Sequence, residues 1–159
     1  MASERHTISC LVENHFGVLS RVSGLISARG FNIDSLTVST TEDPTISRMT
    51  IVVDADALKL EQVKHQLYRL IDVIDVQELR EGAFIDRELL LARVNANGAA
   101  RAELERVASQ FGGKLADAGD RSVVIEASGD TKTLDRLVER LKPHGITKLV
   151  RTGRVALEK

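Results

Sequence analysis

Leu11-Val12-Glu13-Asn14-His15-Phe16-Gly17-Val18-Leu19-Ser20-Arg21-Val22, followed by Arg29-Gly30-Phe31-Asn32-Ile33, holds the residue types that can bind a small zwitterion. The first N–H groups of a helix have no partner inside it and carry partial positive charge, so they can hold a carboxylate without a charged side chain. The Asn14 amide and the backbone N–H groups of His15 to Leu19 supply such donors, and an Asn oxygen or a backbone carbonyl can take an ammonium. That chemistry suits a neutral ligand such as an amino acid. Taken singly, Asn14 also reads as a helix N-cap and Gly17 as a turn glycine.

Other chemistry finds little to work with. His6, His15, His65 and His144 show no ligand spacing, and no glycine-rich loop with a following Lys-Ser or Lys-Thr is present to cradle phosphates. Gly112-Gly113-Lys114-Leu115 lacks the hydroxyl and the upstream glycine such a loop needs. There is no nucleophile elbow, zinc-protease helix motif or dinucleotide fingerprint. Carboxylates are scattered over positions that read as solvated helix faces. The sequence therefore predicts no catalytic or metal residues.

The elements that must position the binding residues follow from periodicity. Thr7 to Val12 alternates as a strand, and Val18, Leu19, Val22, Leu25 and Ile26 mark a helix that Gly30 ends. Phe31 to Thr40 and Ile46 to Asp54 read as strands joined by the Glu42-Asp43-Pro44-Thr45 turn. Leu60, Val63, Leu67, Leu70 and Ile71 stripe a second helix, and Val73 to Leu79 is a further strand. After the connector Arg80-Glu81-Gly82-Ala83 the order recurs. It gives a strand at Glu88 to Asn95, a helix marked by Leu104, Val107, Ala108 and Phe111, and strands at Lys114 to Ala118 and Ser122 to Ala127. A helix marked by Leu134, Leu137, Val138 and Leu141 is closed by Pro143 and Gly145, and a strand at Ile146 to Thr152 ends the unit.

This order predicts an α+β fold of two tandem ferredoxin-like βαββαβ units, residues 4–80 and 84–159, each a four-stranded antiparallel sheet with helices on one face. The other face of the sheet is expected to be bare within a single unit, so Met49-Thr50-Ile51-Val52-Val53 points to a homodimer through sheet packing or edge pairing.

The 159 residues are 43% hydrophobic, enough for one good core or two small ones. With 22 basic and 23 acidic residues the chain carries no basic footprint for nucleic acid, and its first and third strands hold no aromatic residue to stack bases. The single cysteine, Cys10, excludes an internal disulfide and a thiolate metal site and fits a reducing cytoplasm. Met1-Ala2-Ser3-Glu4-Arg5-His6 lacks the apolar region of a secretion signal, and nothing approaches the roughly 18 apolar residues of a membrane span.

Glu13 to Val22, Arg29 to Val38, and Asp43-Pro44-Thr45-Ile46-Ser47-Arg48-Met49-Thr50-Ile51 together resemble the regulatory (small) subunit of acetohydroxyacid synthase, also called acetolactate synthase. The first half resembles its ACT domain. Ala83-Phe84-Ile85-Asp86-Arg87-Glu88-Leu89 and Arg151-Thr152-Gly153-Arg154-Val155-Ala156-Leu157 resemble the family's second domain, which short-form members lack.

The resemblance implies a subunit with no cofactor and no catalytic machinery of its own. In that family a separate large subunit binds thiamine diphosphate, Mg²⁺ and FAD and condenses pyruvate with pyruvate or 2-oxobutyrate, toward valine, leucine and isoleucine. The small subunit raises that activity and confers feedback inhibition, usually by valine. Carried onto this sequence, the valine site comprises Asn14, Gly17, Val18 and Leu19 from one chain and Asn32 and Ile33 from across a homodimer interface. Leu19 and Ile33 are the expected walls around the valine side chain. Such a pocket discriminates a methylene by only about 1 to 3 kcal/mol, which leaves leucine and isoleucine open as effectors. His15 and Phe16 fall at permissive positions, and Arg48 is expected to touch the large subunit or the dimer partner. A free-standing ACT-type sensor acting on a different enzyme is the alternative.

Overall fold

The computed structural model describes residues 4–159; Met1-Ala2-Ser3, part of the segment read as lacking a secretion signal, lies outside the described residues. The chain divides into two units, one of residues up to Ile85 together with Ala156–Lys159, the other Asp86–Val155.

In the first unit the alternation seen in the sequence becomes strand β1 (Glu4–Glu13), followed by helix α1 (Val18–Ala28), β2 (Ile33–Thr40), β3 (Ile46–Ala55), α2 (Ala57–Leu67) and β4 (Val73–Leu79). The strands pair antiparallel in the order β2-β3-β1-β4, which leaves β2 and β4 at the edges. Ile8, Cys10 and Val12 of β1 and Met49, Ile51 and Val53 of β3 meet Val18, Val22 and Ile26 of α1 and Leu60, Val63 and Leu67 of α2 in one buried core. Each fully buried aliphatic side chain of this kind contributes about 1.5–3 kcal/mol.

Two expectations are corrected here. Helix α2 stops at Leu67, and Ile71, placed on its apolar stripe by spacing, lies in the following turn with 94% of its surface exposed. Phe31, predicted to open β2, precedes that strand and packs into the core instead.

The second unit repeats the order with β5 (Phe84–Asn95), α3 (Gly98–Gln110), β6 (Lys114–Ala118), β7 (Ser122–Gly129), α4 (Thr131–Leu141), a 3₁₀ turn at Lys142–His144 and β8 (Ile146–Arg151). Its sheet order β6-β7-β5-β8 has the same topology as the first. A strand that the sequence pattern did not show, β9 (Val155–Glu158), whose residues from Ala156 on belong to the first unit, also pairs with β5, so the sheet that contains β5 is five-stranded instead of four-stranded. Leu90, Ala92 and Val94 of β5 pack with Leu104 and Val107 of α3 and Leu134, Leu137 and Leu141 of α4. Both units are thus α+β and ferredoxin-like. Among the described residues no helix is long and apolar enough to cross a membrane.

Candidate functional site

Strand β1 leaves the sheet at Glu13, and the next four residues turn the chain into α1. Gly17 is the N-cap of that helix at φ 84°, a left-handed conformation that favours glycine, and it offers no side-chain cap. The Val18 N–H makes only a long bond, to His15 O at 3.5 Å, and Arg21 N–H donates to Gly17 O at 3.0 Å. The helix therefore starts with N–H groups that no side chain satisfies.

Asn14 is not the N-cap that its residue type allowed. Its backbone N–H donates to Thr45 O at 2.7 Å and its Nδ2 donates to Pro44 O at 2.9 Å, tying the end of β1 to the β2–β3 loop. That loop is itself fixed by Asp43, whose carboxylate accepts from Thr45 Oγ1 at 2.6 Å and Thr45 N–H at 2.8 Å. Those two bonds hold the Asp43 carboxyl below its ordinary range. The Glu42-Asp43-Pro44-Thr45 turn so becomes the shelf on which Asn14 rests.

The other side of the loop is fixed by Asp72, from the turn between α2 and β4. Glu13 N–H donates to Asp72 O at 2.8 Å, and Arg21 Nε donates to Asp72 Oδ2 at 2.7 Å. His15 Nε2 lies 2.9 Å from Asp72 Oδ1 and 3.1 Å from Glu13 Oε2. The Arg21 hydrogen bond and charge, with a smaller contribution from His15, hold the Asp72 carboxyl below its ordinary range. Sequence spacing missed this cluster, since Asp72 reaches it only through the fold.

The remaining site residues fall in distinct environments. Val18 turns its side chain into the core and can offer a ligand only its backbone, whereas Leu19 is 45% exposed. Asn32 is exposed and donates through Nδ2 to Asp34 Oδ1 at 2.9 Å. Ile33 is half-buried against the core at the start of β2. The sheet register separates these residues from the loop: Ile33 lies opposite Val53, and Glu13 lies opposite Ile46, at the other end of β3. Seven residue steps of β3 span about 23 Å. One chain brings Asn14, Gly17, Val18 and Leu19 together, and places Asn32 and Ile33 far from them.

Other singled-out residues have surroundings of their own within the chain. Cys10 is buried, and burial, aided by the nearby Asp75 charge, pushes its thiol up to about 12, which keeps it protonated and unreactive. Arg48 donates to Ser9 Oγ at 2.8 Å. In the second unit motif residues from its two ends meet. Arg151 Nε donates to the buried Glu88 at 2.8 Å, Thr131 Oγ1 donates to Glu88 at 2.7 Å, and Arg154 Nε lies 3.2 Å from Asp86.

Comparison with known proteins accords with this geometry. Residues 8–75 match the family model described as an AHAS small subunit-like ACT domain, and residues 87–159 match the model for the small subunit of acetolactate synthase. The chain is 44% identical to the acetolactate synthase small subunit of Haemophilus influenzae, covering 98% of this chain and 96% of that one. It is 40% identical to the isozyme 3 small subunit of Escherichia coli, again covering 98% and 96%. The crystal structure of the acetolactate synthase small subunit from Thermotoga maritima superposes with a TM-score of 0.89 at 31% identity, covering 98% of both chains. The chain belongs to the acetolactate synthase small-subunit family.

Proposed function

We propose that this chain is the non-catalytic regulatory subunit of an acetolactate synthase, raising the activity of a separate catalytic large subunit and conferring feedback inhibition by valine, with leucine or isoleucine as further effectors. Thiamine diphosphate, Mg²⁺ and FAD belong to that catalytic partner, and the complex works in the cytoplasm. Residues 4–80 are the effector-binding and dimerising ACT domain, and residues 84–159 form the second domain.

The observation that carries the reading is the uncapped start of α1 beside Asn14. Its backbone N–H groups take the valine carboxylate. One Asn14 N–H is engaged by Pro44 O, so Asn14 serves the ligand through Oδ1, as an acceptor for the ammonium. Leu19 from the same chain, and Asn32 and Ile33 from a second copy, complete the site. The wide separation of the two halves within one chain supports a site shared between copies. Valine then inhibits because it binds one of two dimer arrangements more tightly than the other; equal affinity would shift nothing.

Isothermal titration of the purified chain with valine, leucine and isoleucine tests the pocket. Saturable heat with valine, lost in Asn14→Ala, is the expected result. Valine binding that survives Asn14→Ala unchanged would move the effector site elsewhere.

A further inference from the structure

We propose that Glu13, His15 and Asp72 form a site for a divalent transition-metal ion, which would cross-link the β1–α1 loop to the turn between α2 and β4. Glu13 Oε2, His15 Nε2 and an Asp72 oxygen all lie within 4.8 Å of one another. His15 Nε2 stands 3.1 Å from the Glu13 oxygen and 2.9 Å from Asp72 Oδ1. Donors bound to one zinc-sized ion at about 2.0–2.2 Å lie about 3.0–3.5 Å from each other, the range in which His15 Nε2 already stands from the two carboxylates.

The atoms that face away from this point are held as ligands of a metal usually are. A metal-bound histidine commonly gives its other ring N–H to a carbonyl, and a metal-bound carboxylate is itself hydrogen-bonded. His15 Nδ1 lies 3.2 Å from Phe16 O, which suits a donating Nδ1–H and leaves Nε2 with its lone pair toward the two carboxylates. Asp72 Oδ2 accepts from Arg21 Nε at 2.7 Å, which turns Oδ1 toward His15. The Glu13 N–H bond to Asp72 O, at 2.8 Å, fixes the spacing of the two backbones.

Charge and donor type select the ion. With a neutral imidazole, two carboxylates against the single Arg21 cation leave the cluster one negative charge in excess. A mixed imidazole and carboxylate set suits zinc and its neighbours, whereas calcium and magnesium favour all-oxygen shells with more ligands. Asp72 is nearly buried, with a side chain 6% exposed, while His15 and Glu13 keep 47% and 57% exposed and leave one side open to water. A proton on Nε2 is the competing occupant, making the cluster an imidazolium held between two carboxylates, and a metal would displace it.

The inference is independent of valine binding, and its readout is the metal alone. Titration of the full chain with zinc chloride in a non-chelating buffer should show one ion per chain. Loss of even a supporting partner at a metal site costs about 10- to 100-fold in affinity, so His15→Ala and Glu13→Gln should each weaken binding at least about 10-fold. Both positions are exposed, and circular dichroism checks that the variants fold. His65→Ala, on the exposed face of α2, should leave the affinity unchanged. In histidine side-chain NMR spectra, zinc should move the His15 resonances first. No saturable binding, or binding that survives His15→Ala unchanged, would mean that the triad is an ion-pair cluster only.

Discussion

Gly17 meets a backbone demand before it meets any ligand. Its φ of 84° strains any residue with a Cβ, and a Cβ there would lie 3.0 Å from Arg21 Nη1. The guanidinium is the far end of a flexible side chain and can swing aside, so the backbone term dominates. Gly17→Ala should cost about 1–2 kcal/mol in denaturant unfolding. A loss near zero would mean that the turn relaxes to another conformation. Asn14→Ala is the cleaner probe of a ligand, because Asn14 is exposed and its side chain holds one surface hydrogen bond. Asn14 and Gly17 were legible as polar and turn residues in the sequence. Which of them caps the helix was not, since residue preference favours Asn, and only the left-handed turn at Gly17 delays the helix to Val18.

At the level of elements, the helices that the apolar stripes predicted are started by short-range chemistry. Asp130, at the start of α4, accepts from Thr133 N–H at 2.8 Å and Thr133 Oγ1 at 2.9 Å. Those bonds, the backbone one first, hold its carboxyl below the ordinary range. A carboxyl lowered on folding adds stability above its unfolded pKa and loses it as pH falls through the folded value. Asp130→Ala should therefore cost about 1 kcal/mol at neutral pH, and the gap to the unaltered chain should close as the solution is acidified below the ordinary aspartate range. A gap independent of pH would remove the charge from the explanation. The sequence failed where periodicity was too short or too persuasive. β9 is only four residues long, and Ile71 continues the spacing of Leu67 after the helix has ended. Nor could spacing reveal Asp72 beside His15, because that proximity is made by the sheet bringing β1 and β4 together.

For the molecule as a whole, the register of the first sheet sets the question of how many chains make one effector site. The loop residues and the Asn32–Ile33 pair sit at opposite ends of β3, and β2 is an edge strand of that sheet. On the proposed reading a dimer of Asn14→Ala with Asn32→Ala keeps one intact site, built from the unaltered loop of one chain and the unaltered strand of the other. Mixed dimers should therefore bind about half the valine of unaltered dimers, whereas each variant alone binds little. Mixed dimers that bind no valine would place both halves in one chain. The central claim, that this chain regulates acetolactate synthase in response to valine, is tested most directly by adding it to a purified catalytic large subunit and following acetolactate formation. The account predicts that the chain raises turnover, that valine lowers it again, and that Asn14→Ala keeps the first effect and loses the second. No rise in turnover, or valine inhibition that is the same without the chain, would contradict it.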